Sequence, residues 1–348
     1  MRILITGAAG FIGQLVAKKL LDDEESSHTL ILTDIIESPI PSGTKNPQNA
    51  KSVVADLSRQ SDLVVEKGID AVYVFHGIMS SGAEANFELG MKANFDATRA
   101  LLDTIRSTCP GARVIYASSQ AVYGGEVQTP VTEAMLPTPE TSYGAEKMMC
   151  EYLINEYTRR GFINGLTLRF PTVSVRPGKP TAAASSFLSG MIREPMDGIK
   201  CIIPLTDRSW RHWLCSPRVL VRNLVFALSL EREALPVYNR SLNHPGIGVS
   251  IQDMMDSLER VGGKDKLALL EEKDDASLKK ILNSWPADFD NTKAVALGFE
   301  RDQTFDQIVR DYKEGLKEAS NGQTAETIKA KVNGQVNIQV SEVSNGVL

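Results

Sequence analysis

The sequence is poor in cysteine and histidine, with four of each among 348 residues. Neither set has the close spacing of metal ligands or of a disulfide framework, so we expect no metal centre and no disulfide bond. Zinc modules and disulfide-stapled secreted domains are thereby excluded as classes. The residues concerned are Cys109, Cys150, Cys201, Cys215, His28, His76, His212 and His244.

Long apolar runs and clusters of basic residues are also missing. No run approaches the roughly 18 apolar residues that cross a membrane. The first residues already have the pattern of a strand, so we expect no secretory signal. The net charge of −5 argues against nucleic acid as a partner. We therefore expect a cytoplasmic protein that acts on a small molecule, with one main domain built from its 42% apolar residues.

What the sequence does contain is a glycine-rich turn close to its start. Arg2–Thr6 is a short apolar run typical of a buried strand, and the amphipathic segment Gln14–Leu21 indicates a helix. Between them, Gly7 permits a tight turn, Gly10 lets backbone N–H groups approach a phosphate, and Gly13 lets the helix pack closely on the strand. This order predicts a pyrophosphate site at the N-terminus of the helix.

An acidic residue follows the second predicted strand. Thr29–Thr33 is again apolar and ends at Asp34, about twenty residues beyond the last glycine of the turn. A carboxylate there accepts hydrogen bonds from the ribose hydroxyls of a dinucleotide and repels a 2′-phosphate. We therefore expect NAD rather than NADP as cofactor. The alternative is that Asp34 only caps the strand.

A tyrosine and a lysine stand four residues apart downstream of a Ser-Ser pair. Tyr143 and Lys147 lie on one predicted helix, and Ser119 precedes them in sequence. Positions i and i+4 share a helix face, so the ammonium would lie beside the phenol and favour the phenolate. A phenol of lowered pKa can accept and donate a proton at neutral pH, as the oxidation of a hydroxyl requires. The alternative for Tyr143 is a purely structural, half-buried aromatic.

With these motifs in this order, the chain is similar to the extended short-chain dehydrogenase/reductase family of epimerases, dehydratases and dehydrogenases. The resemblance spans about residues 1–315. It implies that Ser119, Tyr143 and Lys147 are catalytic, that Lys147 also binds the nicotinamide ribose, and that Asn94 joins a water-linked proton relay. The matching segments are Thr6–Gly13, Val54–Leu57, Val74–Ser80, Lys92–Thr98, Ser119 and Tyr143-x-x-x-Lys147.

Apolar strands alternate with amphipathic helices up to about residue 175. This alternation predicts an α/β protein with a Rossmann-type, doubly wound parallel sheet. The further predicted elements are strands at Val53–Val54, Ala71–Phe75, Arg113–Ala117 and Gly165–Arg169, and helices at 93–107 and 143–160.

The irregular pattern after this point predicts a second part of the molecule. We expect an NAD-binding domain over 1–175, a smaller α/β substrate lobe mainly over 176–315, and a polar tail over 316–348. The resemblance implies that about 212–232, with a helix at 224–230, returns to the main domain. We expect the tail to be disordered, with an added edge strand or a partner-bound segment as the alternatives.

The resemblance also assigns binding roles. A forked cation suits a carboxylate, and hydroxyl groups suit the oxygens of a sugar acid. The expected cofactor-binding residues are Gly7, Gly10, Phe11, Ile12, Gly13, Asp34, Asp56, Leu57, His76, Asn94, Ser118, Tyr143, Lys147, Pro171 and Val173. The expected substrate-binding residues are Ser80, Ser119, Gln120, Thr172, Arg176, Ser185, Ser186 and Arg211. The alternative for Arg176 and Arg211 is that they form salt bridges at the surface or between domains.

Two anchors that nucleotide-sugar epimerases use for a nucleotide diphosphate are absent from the sequence. The family's Arg-x-x-Asn pattern is replaced by Arg169–Thr172, which ends in threonine, and its Arg-x-Gly-Asp segment is replaced by Asn283–Pro286. A smaller substrate is therefore favoured. Segments 170–187, 192–195, 210–217 and 285–299 instead resemble a narrower branch of the family, the D-erythronate dehydrogenases.

These features together lead us to expect an NAD-dependent dehydrogenase. It would oxidise a secondary hydroxyl of a small polyhydroxy acid, such as D-erythronate, to the 2-oxo acid. The alternatives are a nucleotide-sugar 4-epimerase or a carbonyl reductase that uses the same three catalytic residues and, more remotely, a non-catalytic dinucleotide sensor. By analogy with relatives that pair through the helices near 93–107 and 143–160, we expect a homodimer.

Overall fold

A computed structural model of the chain describes residues 1–25, 27–179 and 183–316. The polar tail expected over 316–348 lies outside the described residues, apart from Leu316. Within the described ranges, no helix is both long enough and apolar enough to cross a membrane.

The strands form one large sheet and two small ones. In the described part of the chain the large sheet has seven parallel strands, ordered β10-β6-β5-β4-β1-β2-β3. The small sheets are β11-β9-β7 and β12-β8. The predicted doubly wound α/β fold is confirmed. The strands are β1 (Arg2–Thr6), β2 (Thr29–Asp34), β3 (Ala50–Val54), β4 (Ala71–Val74), β5 (Arg113–Ser119), β6 (Asn164–Phe170), β7 (Thr172–Val173), β8 (Cys201–Ile203), β9 (Arg211–Cys215), β10 (Ser241–Asn243), β11 (Ile247–Ser250) and β12 (Leu270–Glu272).

The helices cover both faces of the large sheet and build the second lobe. The predicted helix at 93–107 is a π-helical turn, Met91–Asp96, followed by a regular helix, and the one expected at 224–230 lies earlier in the chain. The helices are α1 (Phe11–Leu21), α2 (Leu57–Gln60), α3 (Ser80–Ala85), α4 (Phe87–Gly90), α5 (Ala97–Thr108), α6 (Ser142–Arg159), α7 (Ser186–Met196), α8 (Pro217–Phe226), α9 (Ile251–Gly262), α10 (Lys264–Leu267), α11 (Ala276–Asn283), α12 (Thr292–Ala296) and α13 (305–316).

The apolar character of β1 follows from burial on both of its faces. Ile3 and Ile5 pack in a cluster with residues of α1 and α8, whereas Leu4 packs in a cluster with residues of α5 and α6. Successive side chains of a strand point to opposite faces, so a central strand needs a continuous apolar run rather than an alternating one. This double layer holds β1 rigidly and so fixes where its carboxyl end lies.

The strand order reverses direction between β1 and β4. From β1 the chain builds β2 and β3 on one side, and β4, β5 and β6 follow on the other. In open parallel sheets, ligands bind in the crevice outside the carboxyl ends of the strands at such a switch point. The second lobe, with its own apolar core around α7 and α9, has its β7 segment directly after β6.

Candidate active site

One cavity of about 290 Å³ lies at the carboxyl ends of the central strands and extends to the second lobe. The predicted cofactor residues on its wall are Gly7, Gly10, Phe11, Ile12, Gly13, Asp34, His76, Ser118, Tyr143, Lys147, Pro171 and Val173. The predicted substrate residues on its wall are Ser80, Ser119, Gln120, Thr172, Arg176 and Ser185. Within the described ranges, no three His, Cys, Asp or Glu side chains are grouped as metal ligands would be.

The glycine turn leaves room where a dinucleotide phosphate needs it. Gly7 has a φ of +63°, and a Cβ at this position would lie 2.6 Å from the backbone nitrogen of His76. A Cβ at Gly13 would lie 2.6 Å from the carbonyl oxygen of Gly7. Helix α1 begins at Phe11, so its unpaired N–H groups face the cavity beside the turn. These residues fit the pyrophosphate of a dinucleotide.

Asp34 ends β2 on the same wall. One carboxylate oxygen accepts the N–H of Ala9 at 3.2 Å, and the other accepts the N–H of Ile35 at 2.8 Å. The carboxylate is therefore fixed in position, with lone pairs left for ribose hydroxyls. Its negative charge opposes a 2′-phosphate.

Replacing Asp34 with alanine should weaken NAD and remove the discrimination against NADP. Hydrogen bonds to a charged group are worth about 1.5–3 kcal/mol, so we expect the KM for NAD to rise at least about tenfold. Steady-state kinetics with both cofactors would measure the effect, and Asp62→Ala, on the exposed surface, is the control. A wild-type protein that prefers NADP would contradict the assignment.

The N-terminal turn of α6 carries Tyr143 to the end of β5. Thr141 caps the helix by accepting the N–H of Gly144 at 3.2 Å. Gly144 has no Cβ, and one at that position would overlap the carbonyl group of Ala121, so glycine lets the helix approach the turn after β5. In this arrangement Tyr143 and Ser119 lie on the same cavity wall, and the Ser119 hydroxyl lowers the pKa of the Tyr143 phenol.

Lys147 lies one turn further along α6 and is 4% exposed. Its Nζ donates to the carbonyl oxygen of Ala117 at 2.9 Å and lies 4.8 Å from the ring centroid of Tyr116. The ring centroid of Tyr143 is 5.5 Å from the same nitrogen. Burial lowers the pKa of Lys147 to about 8. The three predicted catalytic residues therefore meet at one end of the cavity.

The predicted direction of the Tyr143 pKa is wrong for the protein without a ligand. Burial raises the pKa of Tyr143 to about 12, and this outweighs the lowering by Arg176 and by the hydrogen bond with Ser119. Lys147, which the sequence suggested as the main influence, directs its Nζ to a backbone carbonyl instead. The cation that acts on the phenol of Tyr143 is therefore Arg176 from the second lobe.

Asn94 supports the cavity from behind rather than lining it. Its Oδ1 accepts the N–H of Ile78 at 2.7 Å, and its Nδ2 donates to the carbonyl oxygen of Ile78 at 3.1 Å and to Glu146 at 2.5 Å. Ile78 follows His76 in the loop after β4, and both residues are on the cavity wall. Burial and the nearby Lys147 lower the pKa of His76 to about 3, so its ring is neutral.

Arg176 is a cation on the cavity wall without an acidic partner in the described ranges. Its Nε donates to the carbonyl oxygen of Val173 at 3.0 Å, and its backbone N–H donates to Ser189 at 3.0 Å. Burial lowers the pKa of this guanidinium. A mostly buried charge without a counter-ion is costly, so the site favours a ligand that carries a negative charge.

Arg211 was expected to bind substrate, but the structure places it elsewhere. Its guanidinium forms an ion pair with Asp288 at 3.2 Å and donates to the carbonyl oxygen of Gly248 at 3.1 Å. Neighbouring side chains on a strand point to opposite faces, and in β9 it is His212 that reaches the cavity residues Gln120 and Thr172. Arg211 therefore lies on the other face of β9.

Three further predicted residues also lie off the cavity wall. Asp56 caps α2 by accepting the N–H of Ser58 at 3.0 Å and pairs with Lys92 at 3.5 Å. Leu57 is buried in the core beneath, and Ser186 begins α7.

Sequence reasoning did not assign Trp285 to the site, although its indole lines the cavity. The signal was present in the segment Asn283–Pro286, which stands where epimerases carry a diphosphate anchor.

The comparison with protein families settles the assignment. Residues 3–238 match the NAD dependent epimerase/dehydratase family. The chain belongs to this family. The family and the geometry of the glycine turn confirm the predicted cofactor, NAD, and the predicted class, an oxidoreductase of the extended short-chain type.

Individual relatives are similar over most of their length. A D-erythronate dehydrogenase from Cupriavidus necator is 40% identical over 324 residues, which cover 90% of this chain and 98% of that protein. A D-erythronate dehydrogenase from Haemophilus influenzae is 37% identical over 314 residues, with the same two shares. A solved structure, the nucleoside-diphosphate-sugar epimerase from Agrobacterium tumefaciens, has a TM-score of 0.83 and 33% identity, covering 90% of this chain and 94% of that one.

Proposed function

We propose that this protein oxidises D-erythronate, or a close small aldonate, at the hydroxyl next to the carboxylate, with NAD as the oxidant. The observation that carries the proposal is the guanidinium of Arg176, which lies on the same cavity wall as Tyr143 and has no carboxylate partner in the described ranges. A 2-hydroxy acid carries its charge one bond from the reacting carbon, so it suits a cation beside the base. The two D-erythronate dehydrogenases support this substrate class.

In the proposed reaction Tyr143 accepts the proton of the substrate hydroxyl. Ser119, on the same cavity wall as Tyr143, stabilises the negative charge that develops on the substrate oxygen. NAD, which the glycine turn and Asp34 would hold, would supply the hydride acceptor for this step. Lys147, held by the carbonyl of Ala117 with its Nζ 5.5 Å from the ring centroid of Tyr143, lies on the same cavity wall, where it would bind the cofactor.

Arg176 positions the substrate for this proton transfer. Two parallel hydrogen bonds from a guanidinium fix the plane of a carboxylate, whereas an ammonium fixes only a distance. With the carboxylate held there, the adjacent hydroxyl can reach both Tyr143 and Ser119. Such orientation contributes to rate by removing unproductive poses of the bound acid.

The direct test follows NADH formation with NAD and a panel of four- to six-carbon sugar acids, beside an assay of UDP-sugar interconversion. We expect NADH to form with D-erythronate and no epimerisation to occur. NADH formation shows net oxidation, because an epimerase returns its hydride to the same substrate. Epimerisation without NADH formation would instead favour the activity named for the Agrobacterium structure.

We also propose a homodimer and a cytoplasmic location. Phe87, Leu89 and Tyr152 are exposed apolar residues on α4 and α6, which pack side by side. These exposed side chains suit a surface covered by a second copy. All four cysteines are free and buried, which suits a reducing compartment. Sedimentation of the protein and of a Tyr152→Glu variant would test the dimer, since the introduced charge should give a monomer.

A further inference from the structure

Two buried polar atoms at the substrate end of the cavity have no hydrogen-bond partner in the described part of the chain. They are the indole nitrogen Nε1 of Trp285 and the amide oxygen Oε1 of Gln120. Both residues line the cavity, with exposures of 9% and 3%. A buried donor or acceptor left unpaired costs about 1–3 kcal/mol of stability. These two atoms therefore indicate a ligand that forms a hydrogen bond with each of them.

The two side chains flank a single imidazole. His212 Nε2 lies 2.9 Å from Gln120 Nε2 and 2.7 Å from Thr172 Oγ1, and the His212 ring centroid is 5.8 Å from that of Trp285. Burial lowers the pKa of His212 to about 3, so the ring is neutral and can accept a hydrogen bond at Nε2. This contact turns the NH₂ group of Gln120 toward His212 and leaves its oxygen directed elsewhere.

The segment that carries Trp285 is tied to the residue that precedes β9. The ring of Trp210 stacks on His212 at 5.1 Å with an interplanar angle of 17°, and its Nε1 donates to Asn283 Oδ1 at 2.9 Å. The bond between Trp210 and Asn283 joins the residue before β9 to the last residue of α11, which lies two residues before Trp285. Trp285 and Gln120 therefore belong to one wall of the cavity and both contact His212.

We propose that Trp285 and Gln120 together recognise one hydroxyl group of the substrate, on a carbon beyond the one that is oxidised. A hydroxyl accepts the indole N–H and donates to the amide oxygen at the same time, so it satisfies both atoms. A methyl or methylene group at the same place satisfies neither. The inference rests on the proposed function, and it assigns to this wall the choice of a polyhydroxy acid over a simple 2-hydroxy acid.

The test compares D-erythronate with (R)-2-hydroxybutanoate, which keeps the carboxylate and the reacting hydroxyl but lacks the others. In Trp285→Phe, which keeps an aromatic ring and loses the N–H, kcat/KM for D-erythronate should fall about tenfold, the equivalent of one hydrogen bond. The kcat/KM of this variant for 2-hydroxybutanoate should be unchanged. The ratio of kcat/KM for D-erythronate to kcat/KM for 2-hydroxybutanoate should therefore fall about tenfold. Trp213→Phe is the matched control, because Trp213 is equally buried on the same lobe but outside this cavity.

Gln120→Met is the second variant, which removes the acceptor at similar volume and should lower the same ratio. An equal loss on both substrates in both variants would overturn the recognition role while leaving the dehydrogenase activity in place. A wild-type protein that forms no NADH with either acid would overturn the proposed function, and the hydroxyl role with it. Melting temperatures equal to wild type would show that the variants are folded.

Discussion

Tyr143→Phe should lower kcat for NAD reduction about a thousandfold and leave the affinity for NAD unchanged. General acid–base groups typically contribute 10²- to 10⁴-fold, and phenylalanine keeps the ring while removing the hydroxyl that takes the proton. The cofactor contacts at the glycine turn and Asp34 do not involve this hydroxyl. Steady-state turnover and a calorimetric titration with NAD measure the two quantities separately.

Tyr152→Phe provides the control for this result. Tyr152 lies on the same helix α6 but is 59% exposed, so loss of its hydroxyl should leave turnover as in wild type. If Tyr143→Phe kept wild-type turnover, the proposed proton transfer would be wrong. If it lost NAD binding as well as turnover, the side chain would act on the cofactor site rather than on the proton.

The core of the fold could be predicted because the local sequence pattern of its strands matches their burial in the folded protein. Arg2–Thr6 is continuously apolar since both faces of β1 are buried, and the glycine turn follows because only glycine fits between the carbonyls and amides around Gly7. The π-helical turn Met91–Asp96 was not predictable. Within this turn the side chain of Asn94 bonds to Ile78 in the loop after β4, a contact that periodicity does not encode.

The sequence likewise predicts some features of the candidate site and not others. Tyr143 and Lys147 share a face at helical spacing, which sequence gives directly. The direction of the Tyr143 pKa depends on burial, which no local pattern reports, and for that reason the expected lowering was wrong. The choice between Arg176 and Arg211 depended on which face of β9 the side chain of Arg211 takes, and the register of β9 was not visible in the sequence.

Arg176→Gln should raise the KM for D-erythronate about a hundredfold. Removing one partner of a buried charge pair costs about 2–5 kcal/mol, and glutamine keeps a shorter polar side chain without the charge. Steady-state kinetics at saturating NAD measure the effect. Arg211→Gln is the matched control, because its guanidinium pairs with Asp288 outside the cavity; a raised KM in that variant instead of in Arg176→Gln would return the anchor role to Arg211.

The same substitution should move the pH profile of the reaction. Oxidation requires the deprotonated phenol, so kcat/KM falls as the pH drops below the pKa of Tyr143. Arg176 lowers that pKa, and its loss should therefore shift the acidic limb of the profile to higher pH, by about one unit for a nearby charge. Arg176→Lys separates the two roles, because lysine keeps the positive charge but not the fork. Arg176→Lys should raise the KM for D-erythronate and leave the acidic limb of the pH profile nearly where it is in wild type. An equal shift of this limb in Arg176→Gln and Arg176→Lys would show that the charge on residue 176 does not control the pKa of Tyr143.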